Sequence, residues 1–151
     1  RLGWLEAESV PVGQTRMVLL RLTADARREL GLDVDREWSN ESLAHAYWKR
    51  FYARELQQLG FTVKVEAASD RSRVDVLGTR DSMRLAIEIE TGRSDAVGNL
   101  RRALKANIDS VVVVATTQPV LSRIERQIAS SNLLIPGRVH ILLAGKSVER
   151  L

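Results

Sequence analysis

At 151 residues, with 44% hydrophobic and 28% charged residues, the chain has the size and composition of one water-soluble domain plus a small appendage. Cysteine is absent, which excludes disulfides, thiolate zinc sites and cysteine nucleophiles; two histidines, His45 and His140, leave little for a histidine metal site. The net charge of +4 and pI near 10.0 favour polyanionic partners, and no run approaches the roughly 20 apolar residues that span a bilayer. No basic-then-apolar leader opens the chain, so a cytoplasmic protein is expected. Arg1 falls in mid-pattern, which suggests part of a longer polypeptide.

Glu8–Val12 and Met17–Leu22 predict two short strands around Gly13-Gln14. Thr23 is then a plausible N-cap for a short helix ending near Gly31. Asp33 to Asn40 forms a polar connector, with Ser39 or Asn40 as the next cap. From Glu41 to Leu59 the apolar residues Leu43, Tyr47, Trp48, Phe51, Leu56 and Leu59 recur at helical spacing, and Gly60 stops the run. Glu41, His45 and Lys49 make an i, i+4, i+8 stripe on that helix. Phe61–Glu66 predicts a strand, followed by a loop rich in Ser, Asp and Arg.

Residues 73–91 hold the densest chemistry. Arg73–Leu77 and Ala86–Thr91 read as two strands joined by a polar turn around Gly78–Ser82. Side chains alternate along a strand, so Glu88 and Glu90 share one face while Ile87 and Ile89 take the other. On the first strand Asp75 lies opposite in facing to Val74 and Val76. Paired as a hairpin, the two strands gather three carboxylates, Asp75, Glu88 and Glu90, on one side of a sheet. Like charges so placed repel unless a cation holds them, and Mg²⁺ selects oxygen ligands of this kind. The same alternation also describes a half-exposed sheet with solvated acids.

Ser94 reads as the cap of a helix from Asp95 to about Ala106. Val111–Ala115 is uninterrupted apolar sequence, the pattern of a strand covered on both faces. Pro119 opens a helix to about Ser131, and Arg138–Ala144 closes with a strand. From Glu41 onward the order is α-β-β-β-α-β-α-β, an α/β fold with a mixed sheet flanked by helices, in which a hairpin precedes parallel crossovers.

This order with these acids resembles the PD-(D/E)xK nuclease superfamily, whose restriction-endonuclease-like core has three layers. The segments QLGFTVKVE, RVDVLG and LAIEIETG look particularly like archaeal Holliday-junction resolvases and Mrr-type endonuclease domains. The resemblance covers roughly Glu41 to Ala144 and implies a domain over residues 41–151. Residues 1–40 then form an arm, or the wing and last helix of a truncated winged helix, which RLTADARREL resembles. Asp75 matches the family's motif Asp and Glu88 its acidic position, while Glu90 stands where the family has Lys. The resemblance implies a DNA endonuclease with Mg²⁺ or Mn²⁺ held by Asp75, Glu88 and the Ile89 carbonyl, with Glu90 as base or second-ion ligand. Lys49 or Lys105 would then replace the missing lysine, and the block of Arg93, Arg101, Arg102 and Lys105, with Arg80 and Arg84, would track DNA. Glu41, His45, Lys49 and Asn99 are accessory candidates, set against exposed helix positions. Glu66 reads as a solvated strand end, His140 as structural, and Trp4, Trp38 and Trp48 as packing residues. A homodimer is a further expectation. The competing readings are a catalytically inactive nuclease-fold module for DNA binding or assembly, and an interaction domain with surface acids.

Overall fold

The computed structural model describes residues 3–12, 15–32, 41–69 and 72–149. The expected turn at Gly13-Gln14, the connector with its Ser39 or Asn40 cap, and Trp38 lie outside them. The chain divides into two compact units, Arg1–Tyr47 and Trp48–Leu151.

The first unit contains β1 (Leu5–Val12) and β2 (Thr15–Leu22), an antiparallel pair in register from Leu5↔Leu22 to Val12↔Thr15. Thr23 caps α1 (Ala24–Glu29), its hydroxyl accepting from the Ala26 N–H at 3.2 Å and donating to the Gly3 carbonyl at 2.8 Å. Helix α2 (Leu43–Gln58) begins in this unit. Ser42 serves as its cap, accepting from the His45 N–H at 3.2 Å. Glu8 takes a second free donor of that helix end, the Ala44 N–H, at 3.0 Å.

In the second unit β3 (Thr62–Ser69), β4 (Ser72–Arg80), β5 (Met83–Glu90), β6 (Ser110–Ala115) and β7 (Val139–Leu143) form one sheet in that spatial order. β3, β4 and β5 pair antiparallel, whereas β6 and β7 add in parallel. Each parallel addition needs a crossover, supplied by α3 (Ala96–Lys105) and α4 (Gln118–Ser130). Every residue of β6 is buried, as the apolar run Val111–Ala115 requires. The element order and the α/β class are those expected. The strands around the β3–β4 turn are longer: the Ser- and Arg-rich stretch pairs as far as Ser69↔Ser72, because a hairpin extends wherever backbone partners remain in register.

Alternation sorts the two faces. Leu77, Ala86, Val111 and Val113 pack with Leu100, Ala103, Ile124 and Ile128, so α3 and α4 cover one face. Leu56 of α2 lies 3.0 Å from the Cβ position at Gly78, the neighbour of Leu77, and covers the other. Tyr52 ties the end of the chain to this layer, accepting from the Gly145 N–H and donating to the Lys146 carbonyl, each at 3.1 Å; its burial pushes the phenol pKa well up. Among the described residues no helix is long and apolar enough to cross a membrane.

The tight contact at Gly78 gives a first expected result. An alanine Cβ there would stand 3.0 Å from Leu56 and 3.1 Å from Phe61. Gly78→Ala should therefore overpack the sheet–α2 layer and cost about 1–3 kcal/mol, read as a lower urea midpoint. An unchanged midpoint would mean that Leu56 and Phe61 shift freely.

Candidate active site

The β4–β5 ladder runs from Arg80↔Met83 to Val76↔Ile87 and ends there. One register step further, Asp75 comes opposite Glu88. β3 is interrupted at the same level: Val65↔Val76 and Ala67↔Val74 pair, while Glu66 between them sits at φ +54°. This left-handed residue interrupts the pairing without shifting the register on either side. The consequence shows in β4, where Val74 joins the same core cluster as Leu77, three residues away. Strict alternation puts Val74 and Leu77 on opposite faces, so the expected pairing of Val74 with Val76 on one face fails here.

At this kink β4 no longer supplies a backbone acceptor to β5. The Asp75 carboxylate does so instead, accepting from the Ile89 N–H at 2.8 Å through Oδ2. The residue thus satisfies a buried backbone donor while standing half-buried at the end of the ladder. Glu88 is 6% exposed, and alternation places it on the face of Ala86 and Glu90, beside Val113 of β6.

Glu66 and Lys49 extend the row. Lys49, 5% exposed, forms an ion pair with Glu66, which also pairs with Arg73. The Lys49 hydrogen bond first, then its charge and the Arg73 contacts, hold the Glu66 carboxyl below the usual carboxylate range. Glu66 is therefore a bridge between two cations inside β3, in place of the expected solvated strand end. The structure brings Lys49 to the strand next to Asp75. It carries Lys105 the other way, because α3 starts at the Glu90 end of the sheet and runs back towards the beginning of β6.

A depressed carboxyl pKa contributes stability above its unfolded value of about 4.3, and that contribution disappears as the pH falls through the folded value. Wild-type stability should accordingly decline more steeply below about pH 4.5 than that of Glu66→Gln, which has no such proton to bind. Urea midpoints across the acid range would check this, and parallel pH profiles would remove the Lys49–Glu66 bridge as a source of stability.

Glu90 occupies a different environment from Asp75. It is 1% exposed; Asn99 donates to its Oε1 at 3.0 Å and the Ser94 hydroxyl to its Oε2. Its backbone carbonyl accepts from the Thr116 N–H at 3.0 Å. Ser94 is thus a Glu90 partner, and the cap of α3 is Asp95, which accepts from the Gly98 N–H at 2.9 Å. Asn99 turns inward to the acid and also meets Arg102, in place of an exposed position.

Glu41 and His45 pair with each other within the first unit. Arg93, Arg101, Arg102 and Lys105 are exposed. Arg80 ends β4 and Arg84 lies near the start of β5, at the hairpin end of the sheet, roughly 13 Å or more along the strands from the acids. There Arg80 covers the Phe61 ring at 4.6 Å and Arg84 donates to the Asn107 carbonyl at 3.1 Å. Both thus make contacts within the fold, away from the acids. His140 stands partly buried in β7, one strand from Val112. Sequence reasoning missed Glu66 as an ion-pair hub and Ser94 as a carboxylate partner. Glu66 follows a period-two run that gives no sign of a left-handed residue.

Among the described residues no three of His, Asp and Glu gather as a ready-made ion cage. Two carboxylates in opposed register suit Mg²⁺, which commonly binds one or two carboxylates and completes its shell with water and phosphate. Asp75 and Glu88 fit that donor set; the Glu90 oxygens are engaged by Ser94 and Asn99.

No family model matches the chain, and no curated protein does. Among solved structures it is similar to the crystal structure of AF1548, a protein of unknown function, with 14% identity and a TM-score of 0.44. The match covers 66% of this chain and 58% of that one, so the chain spans less than two thirds of that protein's length. A likeness this distant leaves the chemistry to the residues themselves.

Proposed function

We propose that this chain carries the site of a metal-dependent DNA endonuclease of the PD-(D/E)xK kind. The observation behind the reading is the meeting of Asp75 and Glu88 in opposed register where β4 leaves β5. That point lies at the carboxyl end of the parallel β5–β6 pair, where open α/β sheets receive ligands.

In this reading Asp75 and Glu88 hold Mg²⁺ or Mn²⁺, and the Ile89 N–H fixes the Asp75 carboxylate. When bound, such an ion neutralises charge on the phosphoryl oxygens and assists attack by water. The chain's own parts orient the substrate. Lys49 of α2, paired with Glu66 of the strand next to Asp75, provides positive charge beside the site, standing in for the family's strand lysine. Exposed Arg93, Arg101, Arg102 and Lys105 supply backbone contacts that are sensitive to salt. Glu90 holds the start of α3 through Ser94 and Asn99, a positioning role beside the ion. A homodimer would present two such sites to the two strands of a duplex, and the cytoplasm would be the setting.

Cleavage of linear, single-stranded, branched and methylated DNA with Mg²⁺ and Mn²⁺ tests the reading, together with calorimetric Mn²⁺ titration. Ion binding and cleavage are both expected, and both should vanish in Asp75→Ala. The second reading, a DNA-binding module without catalysis, is favoured by Glu90 in place of lysine. DNA binding with no cleavage of any substrate would establish it.

A further inference from the structure

We infer that Arg123 of α4 grips a backbone phosphate of the nucleic acid, an assignment that rests on the nucleic-acid reading above. Glu90 is followed directly by Thr91 and Gly92, the loop that leaves β5 for α3. Gly92 has φ +95°, and its bare backbone admits two side chains of α4 at close range. Val120 Cγ2 lies 3.0 Å from the Cβ position of Gly92, Arg123 Nη2 3.3 Å and the guanidinium carbon 3.9 Å. Val120 and Arg123 are one turn apart on α4, so both lie over the loop at the acidic end of the sheet.

What singles out Arg123 among the described arginines is a buried side-chain nitrogen without a hydrogen bond. Its Nε is buried and makes no hydrogen bond, and among the described residues no carboxylate or carbonyl pairs with the guanidinium. Other arginines of this unit are engaged: Arg73 with Glu66, Arg84 with Asn107, Arg102 with Asn99, and Arg138 with the Leu104 and Ile108 carbonyls. Because the Nε is covered, a ligand can reach only the two Nη groups of the guanidinium. A guanidinium presents a planar fork that matches two oxygens of a phosphate. Arg123 remains partly exposed, so the fork can meet a ligand while the Nε end stays covered. Exposed Arg93, next to Gly92, adds charge of the same sign on the solvent side. In this assignment the ligand is a phosphodiester of the same strand that meets the ion held by Asp75 and Glu88.

The test is fluorescence anisotropy with a short DNA duplex in EDTA, which removes divalent ions and makes the result independent of cleavage. Arg123→Met keeps an unbranched chain against Gly92 and Val120 and removes the fork; Arg123→Lys keeps the charge alone. Thermal unfolding reports whether each remains folded. Arg123→Met should bind about three- to tenfold more weakly, with the salt slope between about 50 and about 200 mM reduced by about 0.9. Arg123→Lys should restore the slope and only part of the affinity. Equal slopes in folded wild type and Arg123→Met would overturn the assignment, as would absence of DNA binding by the wild type. Inorganic phosphate provides a separate arm: stabilisation of wild type but not of Arg123→Met, with DNA binding unchanged, would make this a small-anion site and overturn the DNA contact. Asp75→Asn should leave the Arg123 effect intact. Loss of cleavage in Asp75→Asn with no Arg123 effect would reject this inference and keep the nuclease reading; the reverse pattern would do the opposite.

Discussion

On the proposed nuclease reading, Asp75→Asn is expected to lower metal-dependent cleavage by at least about a thousandfold, equivalent to about 4 kcal/mol of barrier, while leaving the fold intact. The isosteric amide separates two duties of one side chain. Asp75 accepts from the Ile89 N–H at 2.8 Å, and an amide oxygen can accept the same bond. What the amide loses is the negative charge that an ion requires. Asp75→Ala should lose both: cleavage and ion binding disappear, and the buried Ile89 N–H is left without this acceptor, costing about 1–3 kcal/mol. Cleavage rates, Mn²⁺ calorimetry and urea midpoints on both variants separate the duties. An Asp75→Asn protein that cuts DNA at the wild-type rate would end the nuclease assignment, whatever its stability.

The second large effect belongs to Glu90. Truncation in Glu90→Ala leaves a cavity at a site 1% exposed and strips Asn99 and Ser94 of their acceptor. A loss of about 2–4 kcal/mol is expected, from the void and the unmatched donors together. Glu90→Gln should be far milder in stability. Its oxygen can accept from Asn99, and its amide can donate to the Ser94 hydroxyl, which accepts as readily as it donates. Glu90→Lys is the informative replacement, because it installs the lysine that the motif of the proposed reading carries. The pocket offers that ammonium Ser94 and Asn99 in place of solvent, so the variant should be less stable than Glu90→Gln. Cleavage retained in Glu90→Gln agrees with a positioning role for Glu90; cleavage lost there without loss of stability would return it to the reacting centre as base or ligand.

The motif's spacing and its surroundings are legible to different degrees. Asp75 and Glu88 stand out in the sequence because a short hairpin with period-two acids has few ways to pair. The register that brings them together follows from the apolar positions Val76, Ile87 and Ile89, which have to be buried. The same spacing cannot distinguish Glu90 from Glu88. They share a face of one strand, and what marks Glu90 comes from the loop into α3 and its first turn, whose Ser94 and Asn99 reach it.

By itself the sequence determined the order of elements from α2 onward and the α/β class, because helical and strand periodicity are local properties of the chain. It determined that β6 would be covered on both faces, because Val111–Ala115 leaves no polar side to expose. Only the tertiary structure decided that Glu66 turns left-handed and bridges Lys49 and Arg73, that Val74 changes face, and that Arg123 lies over Gly92. The physical reason is separation along the chain. Lys49 meets Glu66 across 17 residues and the Ile89 N–H meets Asp75 across 14, so each contact depends on where packed helices and strands deliver their ends. No local pattern encodes that.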